Sequence, residues 1–87
     1  MTILLELIYR DTCHHCHQAR GYIQELMGSG KPGKIKLKEV SIDTEAGLKL
    51  AQKHDLYQLP GILVNGNLAI EGATTKQEIK EALEAVK

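Results

Sequence analysis

Residues 3–9, Ile-Leu-Leu-Glu-Leu-Ile-Tyr, form a short apolar run that ends at the polar triplet Arg10-Asp11-Thr12. At Cys13 the period switches to helical: Cys16, Ala19, Ile23 and Leu26/Met27 recur on one face up to about Met27. A buried strand feeding straight into an amphipathic helix leaves few architectures for a chain of 87 residues, which holds one core and so one domain spanning 1–87. Thr12 stands where a helix N-cap belongs, and Gly28 stands where the helix would stop, opening a flexible connection over 28–33.

Residues 34–42 alternate but change parity, with Ile35 and Leu37 on one side and Val40 and Ile42 on the other. A strand entering a two-sided core does this, and so does a bulged one. Asp43-Thr44 opens a second helix over about 45–54. Leu59-Pro60-Gly61 precedes an apolar strand at 62–64, Asn65-Gly66 is a strong hairpin signal, and Leu68-Ala69-Ile70 returns to Gly72. Thr75-Lys76-Gln77-Glu78 fits a capping box for a last helix carrying Ile79, Ala82, Leu83 and Val86. The order βαβ-α-ββα predicts an α/β fold: a four-stranded mixed sheet with helices on both faces. Glu6 interrupts the first strand and is read as an edge or end residue.

Charge and composition narrow the function. Lys plus Arg and Asp plus Glu each number 11, and this balance opposes nucleic-acid binding, which draws on excess positive charge. Three Tyr with no Phe or Trp give no base-stacking platform. No apolar stretch approaches the ~20 residues of a membrane span, so no membrane partner is expected. The first residues lack a basic, small-residue signal pattern, which predicts a cytoplasmic protein.

The two cysteines, Cys13 and Cys16, are therefore read as a redox pair rather than as a structural disulfide, and no other cofactor is implied. At a helix N-terminus, free N–H groups and the helix dipole stabilise a thiolate, lowering a thiol pKa from ~8.5 into the range ~3.5–7.5. Cys13, in the first turn, is the expected nucleophile. Cys16, one turn on and more buried, is the expected resolving thiol. At His14 and His15 a partly protonated imidazole beside the thiolate, or an N–H donated to it, favours the reduced form, and Arg10 is placed to add positive potential. His17 and His54 are read as surface residues. The alternative is a small metal-binding module using the Cys/His cluster, but one C-x-x-C gives only half a tetrahedral site.

Thr12-Cys13-His14-His15-Cys16, followed by Leu59-Pro60-Gly61 and the Asn65-Gly66 hairpin, resembles the thioredoxin superfamily over nearly the whole chain. The element order and small size are most similar to glutaredoxins and glutaredoxin-like mini-thioredoxins. The resemblance implies a protein-disulfide oxidoreductase, with Pro60 the cis-proline facing the cysteine pair and Leu59 offering backbone groups to substrate. It extends the substrate-binding set to Arg10, Thr12, Leu59, Pro60 and Gly72. The departures are specific. Both middle residues are His, whereas thioredoxins carry Gly-Pro and glutaredoxins Pro-Tyr. Leu7 replaces the thioredoxin aspartate six residues before the first cysteine. Glu71-Gly72-Ala73-Thr74-Thr75 lacks the acidic pair with which glutaredoxins hold glutathione. The expected partners are thus protein disulfides and a flavin-linked or thiol reductant, glutathione is a poor partner, and the protein is a monomer.

Overall fold

The computed structural model describes residues 2–29 and 34–86. Its elements are β1 (Thr2–Tyr9), α1 (His14–Ser29), β2 (Lys34–Ser41), α2 (Glu45–Lys53), β3 (Gly61–Val64), β4 (Asn67–Glu71) and α3 (Lys76–Glu84). The strands form one mixed sheet in the order β2-β1-β3-β4. β1 runs parallel to β2 and antiparallel to β3, and β3 pairs antiparallel with β4. The α/β architecture is the one the periodicity predicts.

Alternation along β1 puts Ile3, Leu5 and Leu7 on one face, where they join Ala19, Ile23 and Leu26 of α1 and Ile79 and Leu83 of α3 in the main core. The other face carries α2, which packs on β2. This two-sided covering explains the parity change of β2. Ile35 and Leu37 pack toward the α1/α3 core, whereas Val40 is buried outside that cluster. The pairing of β1 with β2 is unbroken from Thr2↔Lys34 to Tyr9↔Ser41, so β2 has no bulge. The irregularity lies instead in the hairpin, where Ile62 pairs with Ile70 and Leu63 with Leu68.

Both capped helices start where the sequence puts them. Thr44 Oγ1 accepts from Gly47 N, and Thr75 with Glu78 makes a complete capping box. Asn65 and Gly66 take φ of 50° and 86°, the two positive values that a tight hairpin turn requires. Asn65 also locks the turn to β1, since its Oδ1 accepts from Leu4 N at 2.9 Å.

Two expectations need correction. Gly28 does not end α1. It lies inside the helix without a positive φ, and the last turn is held by the Ser29 hydroxyl donating to Leu26 O at 2.8 Å. The rest of the expected connection, residues 30–33, lies outside the described residues. Glu6 is neither at an edge nor at an end. β1 is an interior strand, and Glu6 is half-buried at its middle, opposite Lys38 and Leu63. It opens onto a groove that Lys38, Glu39, Lys49 and Lys53 also line.

Candidate functional site

The Cys13 turn is built from its own residues. Cys13 N donates to Arg10 O at 3.0 Å, which turns the chain out of β1 and aims it along α1. Cys13 itself, not Thr12, occupies the N-cap. Its carbonyl accepts from His17 N at 3.3 Å, and its Sγ accepts from Cys16 N at 3.2 Å. The sulfur does what a serine or threonine hydroxyl usually does, and Thr12 is left exposed one residue outside the helix. Both cysteines therefore belong to the first turn, Cys13 before it and Cys16 as its third residue.

Their burial differs as the motif predicts. Cys13 is partly exposed, while Cys16 is 0% exposed, and both are free thiols. Burial, reinforced by the hydrogen bond to the Cys13 side chain, pushes the Cys16 thiol from 9.0 up to about 11; the Arg10 backbone and, less strongly, the Arg20 charge pull it the other way. Cys16 thus holds its proton until it is called on to react.

The histidines divide by role. His14 and His15 are exposed, with ring centroids 6.0 Å apart, and His15 Nδ1 lies 3.4 Å from Gln18 Oε1. His17, read as an uninvolved surface residue, is tied in on both sides. Arg20 Nη1 donates to its Nδ1 at 2.6 Å, so the opposite nitrogen carries the proton and donates to Asp11 O at 2.7 Å. Arg20 in turn bonds Glu39 on β2 and lies 4.9 Å over the Tyr9 ring. The Asp11 end of the turn is thereby tethered to the sheet. His17's own partners are near in sequence, Arg20 one turn along α1 and Asp11 six residues back, but the tie onward from Arg20 to Glu39 on β2 gives no sequence signal. His54 is half-buried at the end of α2, outside the turn.

A groove of about 820 Å³ opens beside Cys13. Arg10, Thr12, Leu48, Tyr57 and Leu59 line it with Cys13. Leu48 is 50% exposed and Tyr57 87%, so its rim offers apolar surface to a partner. Arg10 is exposed, with Nε 3.7 Å from Asp43 Oδ1. The Leu59–Pro60 bond is cis, as the resemblance implied, and Pro60 is buried. Gly72 does not line the groove. It is buried behind the Leu59 turn, donating its N–H to Pro60 O at 2.8 Å.

Comparison with known proteins settles the family. The thioredoxin domain family matches residues 4–84. The chain belongs to that family. A thioredoxin from Methanocaldococcus jannaschii is 24% identical over 81 residues, covering 93% of this chain and 92% of its own. Two solved structures share the fold. The oxidised mitochondrial thioredoxin 3 of Saccharomyces cerevisiae has a TM-score of 0.75 at 15% identity, over 97% of this chain and 78% of that one. A thioredoxin-like protein from Clostridium perfringens has a TM-score of 0.77 at 18% identity, over 98% and 71%. Membership supports thiol–disulfide oxidoreductase chemistry in general, and the thioredoxin fold sets a cysteine pair at the end of its first strand here.

Proposed function

We propose that the protein reduces disulfides of protein substrates through Cys13 and Cys16. The observation that carries this reading is the asymmetry of the pair at one helix end: an accessible sulfur at the N-cap, beside a groove, and a buried protonated thiol three residues on. The Cys13 thiolate attacks one sulfur of the substrate disulfide. A Cys13–substrate bond forms, the substrate S–S bond breaks, and the departing sulfur takes a proton. Cys16 then gives up its proton and attacks Cys13 Sγ. The Cys13–Cys16 disulfide forms, the second substrate sulfur leaves as thiol, and two electrons have passed to the substrate. An external dithiol or a flavin-linked disulfide reductase restores the pair. No cofactor beyond the two cysteines is required. His14 and His15 place two imidazoles in the turn beside the reactive sulfur, and Leu59 offers its backbone to the substrate chain.

Glutathione is the poorer donor. Glu71 is the one carboxylate in the stretch 71–75, where glutaredoxins carry their acidic pair, and it is engaged with Tyr57 N and Gln58 N. Thr74 and Thr75 are bonded to Glu78. The metal-module reading finds no donor set, since among the described residues no three His, Cys, Asp or Glu side chains converge. We place the protein in the cytoplasm, acting as a monomer. A coupled assay tests the reading: turnover of a protein disulfide with a flavin-linked reductase or dithiothreitol exceeds turnover with glutathione at physiological concentration. Saturable reduction by glutathione through a Cys13 adduct would make it a glutaredoxin instead.

A further inference from the structure

The Leu59 turn is held by a carboxylate from a different element. Glu71, the last residue of β4, points its Oε2 at two successive backbone amides, Tyr57 N at 2.5 Å and Gln58 N at 3.0 Å. Consecutive N–H groups that converge on one oxygen form a small anion-binding concavity, which requires a curled backbone and not an extended one. The next residue of β4's exit completes the clamp. Gly72 has φ of +88° and gives its N–H to Pro60 O, and a Cβ there would lie 2.6 Å from Gln58 Oε1. Gln58 is thus packed over the glycine. Leu59 is different: among the described residues neither its N–H nor its carbonyl has a partner. It also lines the groove with Cys13.

Resting on the proposed reduction of protein disulfides, we infer that Glu71 is a positioning residue that sets the register of the substrate chain. By occupying the amides of Tyr57 and Gln58, it leaves Leu59, among the described residues, as the one residue of 57–59 with both its N–H and its carbonyl open to strand pairing. An extended polypeptide entering the groove exchanges a reciprocal pair of main-chain hydrogen bonds, one donated and one accepted, only there. Its disulfide is thereby brought to a fixed place relative to Cys13. Without the carboxylate the two preceding amides are released, and an incoming chain can pair out of register. A disulfide with no polypeptide around it does not use this selection.

The test compares insulin with hydroxyethyl disulfide as substrates, using the whole chain. In Glu71→Ala the ratio of kcat/KM for insulin to that for hydroxyethyl disulfide falls about tenfold, chiefly through KM, as expected for losing a charge-assisted contact. Glu71→Gln keeps a neutral acceptor oxygen and recovers part of the ratio. Glu84→Ala, an exposed carboxylate on α3, keeps the wild-type ratio. Amide hydrogen exchange gives a readout independent of turnover: Tyr57 and Gln58 exchange at least about tenfold faster in Glu71→Ala, while core amides of β1 keep their protection. A ratio within about twofold of wild type in a folded Glu71→Ala protein overturns the inference. An equal loss on both substrates does so too. If the wild-type protein reduces neither disulfide, the proposed function fails, and the exchange of Tyr57 and Gln58 alone then decides whether the clamp stands.

Discussion

The turn carrying Cys13 and the turn carrying Leu59 line the same groove but are held at different ranges along the chain. The bonds the Cys13 turn makes directly are local: Cys13 N to Arg10 O, Cys16 N to Cys13 Sγ, and His17 to Asp11 O six residues back, with the sheet reached only at second hand through Arg20. The Leu59 turn has no such self-sufficiency. Its amides reach Glu71, 14 and 13 residues away, and Pro60 O is bonded by Gly72 N. The first turn is complete once β1 runs into α1. The second exists only when the β3–β4 hairpin has closed. A thiolate needs a fixed electrostatic environment, which a helix end supplies by itself. A substrate-facing backbone needs a fixed position, which this chain supplies from a neighbouring strand.

Breaking the Cys13 turn at its own sulfur has the largest effect. Cys13→Ser abolishes disulfide reduction, because the hydroxyl can cap the helix but cannot exchange with a disulfide. Cys16→Ser keeps the first step and loses the second, so a mixed disulfide accumulates on Cys13, readable as an added mass. Adduct formation by Cys13→Ser, with none by Cys16→Ser, would reverse the two roles.

Raising the pH loads the Cys13 turn and spares the Leu59 turn. The Cys16 thiol is pushed up from 9.0 to about 11 mainly by its burial, so the folded protein holds a proton there that the unfolded chain releases. A raised folded-state pKa contributes stability that is fully present below the unfolded value and is lost as pH rises through the folded one. The reduced protein should therefore lose on the order of 2 kcal/mol between about pH 9 and pH 11. Cys16→Ala, or oxidation of the pair, removes this slope in denaturant titrations. A reduced protein with the same pH profile as Cys16→Ala would show that the buried thiol is not protonation-linked to folding.

The same difference in range decides what could be read from the amino acids. The strand-to-helix switch at residue 13, the capping box at Thr75–Glu78 and the Asn65-Gly66 turn each depend on neighbours a few positions away, and each is present. The cysteine pair was legible for that reason, although its cap was assigned to Thr12 because a thiol is not a usual capping group. Glu71 was not legible. Strand alternation says which face a residue takes, but Glu71 is the terminal residue of β4, where the ladder no longer dictates direction and a curled loop presents its amides. The tether beyond His17 and the setting of Glu6 were missed similarly, since Glu39 reaches Arg20, and Lys38 lies opposite Glu6, only through the sheet.

A smaller effect tests whether charge within the Cys13 turn matters beyond the helix end. His15 is exposed and its ring nitrogen faces Gln18, so its influence on the pair passes through solvent. His15→Ala should make the protein more reducing by no more than about 30 mV, because removing nearby positive charge disfavours the reduced form. The shift shrinks at about 1 M salt, where the screening length falls to ~3 Å. It is measured by equilibration against a dithiol redox buffer. An unchanged potential returns His15 to an ordinary surface residue.

The smallest effect concerns Arg10, which touches both sides of the comparison: its carbonyl shapes the Cys13 turn, and its side chain lies in the groove that the Leu59 turn shares. The guanidinium stands 3.7 Å from Asp43, with the two side chains 51% and 63% exposed. An ion pair so wet is worth under ~1 kcal/mol, so Arg10→Ala should shift stability by less than about 0.5 kcal/mol. The carbonyl that bonds Cys13 N survives the substitution, and the turn keeps its shape. Binding separates the remaining possibilities. If Arg10 meets a substrate carboxylate, Arg10→Ala raises KM about threefold for a peptide disulfide flanked by glutamate. Asp43→Ala then lowers KM, because it frees the guanidinium from its competitor. Opposite signs at low salt, merging at high salt, place Arg10 in substrate recognition; equal and small changes in both variants make it a strut between the Cys13 turn and the corner before α2.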